Sequence, residues 1–187
     1  MGQTLQPTVW RTCRVLANSS RLKIFALLVR EPGLTVSSVA TRLRLALPVA
    51  SLYLRALEAR GMLVSERTGR WVTYEVAAQN SPVSPLVSAL RSSVKCDAKF
   101  VQSTFELATA FTHPRRRDVF RSLKHPQAMA ELKASTRIPE RALLRHLQKL
   151  KARGFVVYRR GRPGTYVARN QPSAIGRALA QLASESG

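Results

Sequence analysis

Apolar residues follow a helical period over most of this chain and switch to strand-like runs in two short places. Leu22, Phe25 and Leu28 recur at the three- and four-residue spacing that lines one helix face; Val119, Phe120 and Leu123 do the same, as do Leu54 with Leu57 and Leu147 with Leu150. By contrast, Met62-Leu63-Val64-Ser65 and Trp71–Val76 flank a Gly-containing basic stretch, as do Phe155–Tyr158 and Thr165–Val167. β-Branched and aromatic runs around such a turn predict hairpins. The pattern predicts helices over 9–16, from Ser19 to the break at Glu31-Pro32-Gly33, and over 36–43, 48–60 and 82–95. A second set follows over 100–111, from Pro114 to the break at Lys124-His125-Pro126, and over 128–135, 139–153 and 174–183. Asn18-Ser19-Ser20 and His113-Pro114 suit helix starts, where side chains satisfy free amides and proline brings a preset φ. Gly61 and Gly154 stand where helices end, because glycine takes the left-handed conformation freely. Gln79-Asn80-Ser81-Pro82 is a short hinge.

The two sets echo each other. Leu16-Ala17-Asn18-Ser19-Ser20-Arg21 is answered by Phe111-Thr112-His113-Pro114-Arg115-Arg116, and Leu54–Gly61 by Leu147–Gly154. Gly69 and Tyr74 meet Gly161 and Tyr166. A repeat at this period converts a 187-residue chain into two tandem modules, 1–95 and 96–187. Modules this small bury modest cores and are expected to support one another.

Charge narrows the partner. Thirty-one Lys and Arg against ten Asp and Glu leave +21. The excess runs through both halves, with 12 basic and 4 acidic residues up to Val94 and 19 and 6 beyond it. A field of one sign favours polyanions, nucleic acid ahead of anionic membrane. No apolar run is long enough for a membrane helix, and Met1–Pro7 lacks the features of a signal peptide. A cytoplasmic protein is expected. Two cysteines, Cys13 and Cys96, suit a reducing compartment.

Three helices, the last two forming a tight step, and a basic hairpin predict a winged helix-turn-helix. The second helix of such a step fits the DNA major groove, and the hairpin tip carries arginine beside it. The expected fold is mainly α with small β-hairpin wings: two winged helix-turn-helix modules packed through their first and last helices. Leu16–Phe25 resembles the opening helix of ArsR-type bacterial transcriptional regulators, and Phe111–Arg116 is a second version. Leu54-x-x-Leu57-x-x-x-Gly61 and His146-Leu147-x-x-Leu150-x-x-x-Gly154 resemble that family's recognition helix running into the wing. The resemblance implies a regulator, acting as repressor, that binds a palindromic operator and releases it on sensing a ligand. Family members pair as homodimers; here duplication implies a covalent pseudo-dimer, as monomer or paired again. Its interface would lie near 9–16, 82–111 and 174–183, with recognition helices about 34 Å apart.

The copies differ where they should read DNA. The second offers Arg141, Arg145, His146, Gln148 and Lys149 on its recognition helix, and Arg159, Arg160 and Arg162 on its wing. The first offers Ser51, Tyr53 and Arg55, with Arg67 and Arg70 on its wing. Leu45–Val49 is apolar where the family places small polar residues, so copy one is expected to read DNA weakly or to bind a protein partner. Copy two should carry most of the specificity. Arg115, Arg116 and Arg117 open a helix where the dipole disfavours cations, which points equally to phosphate contact or to packing of one arginine stem. Cys13 and Cys96 are a third candidate, as a thiol- or metal-responsive switch, although buried structural thiols are the favoured reading. No ligand set for a metal is apparent, and the family's third-helix cysteine pair is absent. No phosphate-cradling glycine loop, His-Glu-x-x-His or nucleophile elbow is present, so neither cofactor nor catalysis is expected.

Overall fold

A computed structural model of the chain describes residues 8–78 and 83–185. The predicted hinge at Gln79–Pro82 and the segment Met1–Pro7 lie outside these residues. The described chain runs α1 (Val9–Leu16), α2 (Ser19–Arg30), β1 (Leu34–Thr35), α3 (Val36–Leu43), α4 (Leu47–Glu58), β2 (Leu63–Thr68), β3 (Trp71–Val76) and α5 (Ser84–Cys96). It continues with α6 (Phe100–Ala108), α7 (Pro114–Ser122), β4 (Gln127–Ala128), α8 (Met129–Thr136), α9 (Glu140–Ala152), β5 (Val156–Arg159), β6 (Thr165–Ala168) and α10 (Ala174–Glu185). The fold is thus mainly helical with small antiparallel sheets. Among the described residues no helix is long and apolar enough to cross a membrane.

Two compact units form. One comprises Val15–Phe105; the other joins Thr8–Arg14 to the chain from Glu106 onward. The first unit closes around the fully buried Leu22, Ile24, Phe25, Leu54, Leu57 and Met62, with Phe25 stacked on Phe100 at 6.5 Å. The second is organised by three aromatic rings. Phe111 meets Phe120 at 5.2 Å and Phe155 at 4.8 Å, both edge-on, over Leu143, Leu147 and Leu150. Edge-on rings add roughly 0.5–1.5 kcal/mol per pair beyond their burial. Copy one's first helix therefore places Val9, Thr12 and Cys13, all fully buried, in the second unit.

Each helix start has a local cause. Asn18 Oδ1 accepts from the Arg21 N–H at 3.0 Å to open α2, and Thr35 Oγ1 accepts from the Ser38 N–H at 3.2 Å to open α3. At α7 an imidazole takes that role: His113 Nδ1 accepts from the Arg115 N–H at 3.2 Å, ahead of Pro114. The two reading helices end alike. Met62 N–H reaches the Leu57 carbonyl at 3.1 Å and Phe155 N–H the Leu150 carbonyl at 2.9 Å, with Gly61 and Gly154 at φ 66° and 76°.

The wings differ from expectation in two respects. Each is a three-stranded sheet, ordered β1-β3-β2 and β4-β6-β5, because a two-residue strand preceding α3 or α8 joins the hairpin. The first hairpin also zips further. Thr68 pairs with Trp71, so the turn shrinks to Gly69-Arg70, and Glu66-Arg67-Thr68 extend β2. Arg67, expected on the turn, lies opposite Val72 within the ladder; Arg159 likewise pairs with Thr165. Gly69 at φ 61° allows this two-residue closure.

Candidate nucleic-acid interface

Leu143, Leu147 and Leu150 hold one side of α9 in the core of the second unit, which sets where every other residue of the helix must point. Arg141, Arg145 and Gln148 then fall in line at i, i+4 and i+7 on the exposed side, and no hydrogen bond or ion pair within the described residues engages them. His146 and Lys149 lie a quarter-turn away. They are half-buried against α7, so the structure divides the predicted recognition set in two.

The half-buried pair stands in a cationic setting. The His146 ring meets His113 at 5.1 Å between centroids, a convergence that α7 and α9 create and the sequence spacing conceals. Burial, then His113, Arg116, Arg145 and Arg115 hold the His146 pKa below its usual 6.5. Burial, then Arg153 and Arg116 lower that of Lys149. Arg116 is itself lowered by burial; its Nη2 donates to Thr112 Oγ1 at 2.6 Å while its Nε is buried without a partner. Of the α7 arginines, Arg117 pairs with Asp118 at 2.8 Å, and Arg115 remains exposed.

On α4 the predicted contacts are already occupied within the unit. Arg55 Nη2 donates to Ser51 Oγ at 3.1 Å and its Nε to the Ser51 carbonyl at 3.4 Å. The Arg21 guanidinium covers the Tyr53 ring at 5.1 Å. What α4 presents instead is apolar: Leu47 is 54% and Leu52 59% exposed. At the base of the first wing, Glu58 accepts from Ser65 Oγ. Burial and that carboxylate raise the Tyr74 pKa.

The wings carry the remaining predicted cations at their surfaces. Arg67 is exposed along β2, and Arg70 lies over the Trp71 ring at 5.0 Å. Arg159, Arg160 and Arg162 are exposed around the second tip. There the Tyr158 and Tyr166 rings lie tilted at 5.0 Å, and a Cβ on Gly164 would meet the Tyr158 hydroxyl, so a larger residue there would have to push that exposed ring aside.

The thiols stand in different settings. Cys13 is fully buried and burial pushes its pKa far up, outweighing the nearby Arg116, so it lacks the thiolate character of a reactive cysteine. Cys96 is exposed at the end of α5. Among the described residues no group of three or more His, Cys, Asp or Glu side chains is placed to hold a metal.

Residues 18–64 match the winged helix-turn-helix DNA-binding family model. The match covers α2 through the start of β2, so it includes α4, whose exposed side is apolar. No curated protein matches the chain. Among solved structures, the chain is similar to human N-acetylserotonin methyltransferase in complex with SAM, at 18% identity and a TM-score of 0.34. The likeness covers 77% of this chain and only 39% of the methyltransferase chain. The expectation that catalysis is excluded is corrected by this finding, since an enzyme stands among the similar structures. At that score the likeness carries no argument about which reaction, if any, belongs to this chain.

Proposed function

We propose that the chain is a DNA-binding transcriptional regulator of ArsR-like type, acting as a repressor by covering its operator in the cytoplasm. In this reading, 1–95 and 96–187 are duplicated copies, packed through their first and last helices into a covalent pseudo-dimer. The recurring order of helices and strands supports the duplication. The family match over 18–64 supports the DNA partner. The observation that carries the reading is the exposed line of Arg141, Arg145 and Gln148 on α9, whose side chains have no partner within the described residues. Arginine to guanine is the commonest base contact, and a glutamine three residues on can pair with adenine. Arg159, Arg160 and Arg162, with Arg67 and Arg70, would hold phosphates and set the register.

Genomic fragments retained by the full-length protein, selected with and without a salt challenge, test this directly. A recurring sequence that survives the challenge supports the regulator; retention that vanishes uniformly with salt overturns sequence-specific reading. A second reading rests on Leu47 and Leu52. Exposed leucines at the start and in the middle of a reading helix suit a protein partner, so copy one would recruit while copy two reads.

A further inference from the structure

We propose that His146, with His113, Arg116 and Lys149, forms a phosphate site between α7 and α9, beside the base-reading Arg145, that takes up a DNA backbone phosphate together with one proton. This rests on the DNA-binding reading and adds a regulation to it. Every charged group acting on His146 is basic: His113, Arg115 and Arg116 at the start of α7, and Arg145 beside it on α9. Those acting on Lys149 are basic too. The helix α8 and strand β5, which also pack on α9, add no charge to His146. Such a group of cations without a counter-ion is destabilised until an anion enters.

The donors for that anion are present. His113 Nδ1 is already accepting from the Arg115 N–H, so the neutral ring keeps its own proton on Nε2 as a donor. Arg116 retains a buried Nε without a partner. Arg145, the middle member of the exposed base-reading line, adjoins His146, which brings the site alongside a strand lying in the groove. In the free protein burial, and then the surrounding cations, disfavour the charged imidazole of His146. A phosphate held against the edges of the two rings reverses the sign of the local field, and the imidazole takes a proton from solvent. Binding is then linked to proton uptake. Affinity is flat at high pH, rises as pH falls from the bound-state to the free-state pKa, and is flat again below both.

The test follows binding of a labelled duplex to the full chain by fluorescence anisotropy from pH 8 to 5.5 at constant ionic strength. The His146 ring is followed by NMR in parallel. Wild type should gain affinity by up to about tenfold per pH unit within the window. His146→Gln should lose that response, whatever its affinity at pH 8. The His146 pKa should rise on adding duplex. A rise with duplex but not with inorganic phosphate assigns the site to the DNA strand; a rise with both supports a phosphate site of wider use. Wild-type and H146Q profiles that run parallel, or an unmoved His146 pKa in the complex, overturn the proposal. If wild type fails to bind duplex at pH 8 and low salt, the DNA-binding reading itself fails. Parallel profiles with intact binding sink only the proton-coupled site.

Discussion

Helices α4 and α9 occupy the same place in the order of elements, yet they present opposite chemistry to solvent. Both anchor leucines at i and i+3 in a core and end in the same glycine-assisted bond pattern. On α9 the outward line is Arg141, Arg145 and Gln148. On α4, Leu47 and Leu52 face outward while Arg55 bonds back to Ser51 and Tyr53 lies under Arg21. A scaffold constrains the buried third of a helix and leaves the rest open to change. Under the proposed duplication, two copies in one chain can diverge on that open surface, whereas a homodimer must alter both halves together.

The largest expected difference is in sequence discrimination. Replacing Arg141, Arg145 and Gln148 together by alanine should lower affinity for the selected sequence on the order of a thousandfold, at about 1–3 kcal/mol per base-reading side chain. The matching triple of Ser51, Tyr53 and Arg55 should stay within about tenfold. Competition of specific against random duplex measures both, and equal losses would erase the division of labour. Stability should show no such asymmetry. Leu57→Ala and Leu150→Ala, both fully buried, should each cost about 2–5 kcal/mol by chemical denaturation.

The wings should differ by less. Arg160→Glu with Arg162→Glu should flatten the slope of log affinity against log salt by about 1.8, two phosphate contacts at roughly 0.9 each. Arg67→Glu with Arg70→Glu should change it by about half as much, since Arg70 already rests on Trp71. The smallest contrast concerns acid. Asn18→Ala should cost about 1 kcal/mol at any pH, because an amide cap does not titrate. The second unit carries His146, held below its usual 6.5, so the unfolded chain binds that proton more readily. The stability it contributes is complete above 6.5 and is lost as pH falls from there through the folded-state value. Melting temperature should fall with acid in wild type and fall less in His146→Gln.

Much of this architecture was legible in the chain. Helix periodicity located all ten helices found among the described residues, because leucine spacing reports burial directly. The two-residue strands β1 and β4 were not legible, since two residues carry no period. Nor was the register that moved Arg67 into a ladder. The candidate site was legible in type but not in grouping. Residue identities nominated α9, whereas the angle between α7 and α9 decides that His146 turns inward to His113. That is a tertiary fact with no local signature. The family match over residues 18–64, which include α4, and the exposed polar line on α9 show the same limit from another side. Scaffold positions carry a family likeness even where the contact surface has changed.

Arg44 and Arg137, the first residues beyond α3 and α8, both sit in the left-handed region at φ 52° and 53°. A side chain there costs roughly 1–2 kcal/mol relative to the right-handed conformation, and glycine avoids it. Both arginines are exposed and belong to no packed core. Each bend of the step therefore holds a latent gain: exchanging arginine for glycine would relax the chain and remove one cation beside the reading helix. Thermal robustness and grip on a polyanion are set against each other at a single position, twice over. A variant selected for heat alone would be expected to change there first.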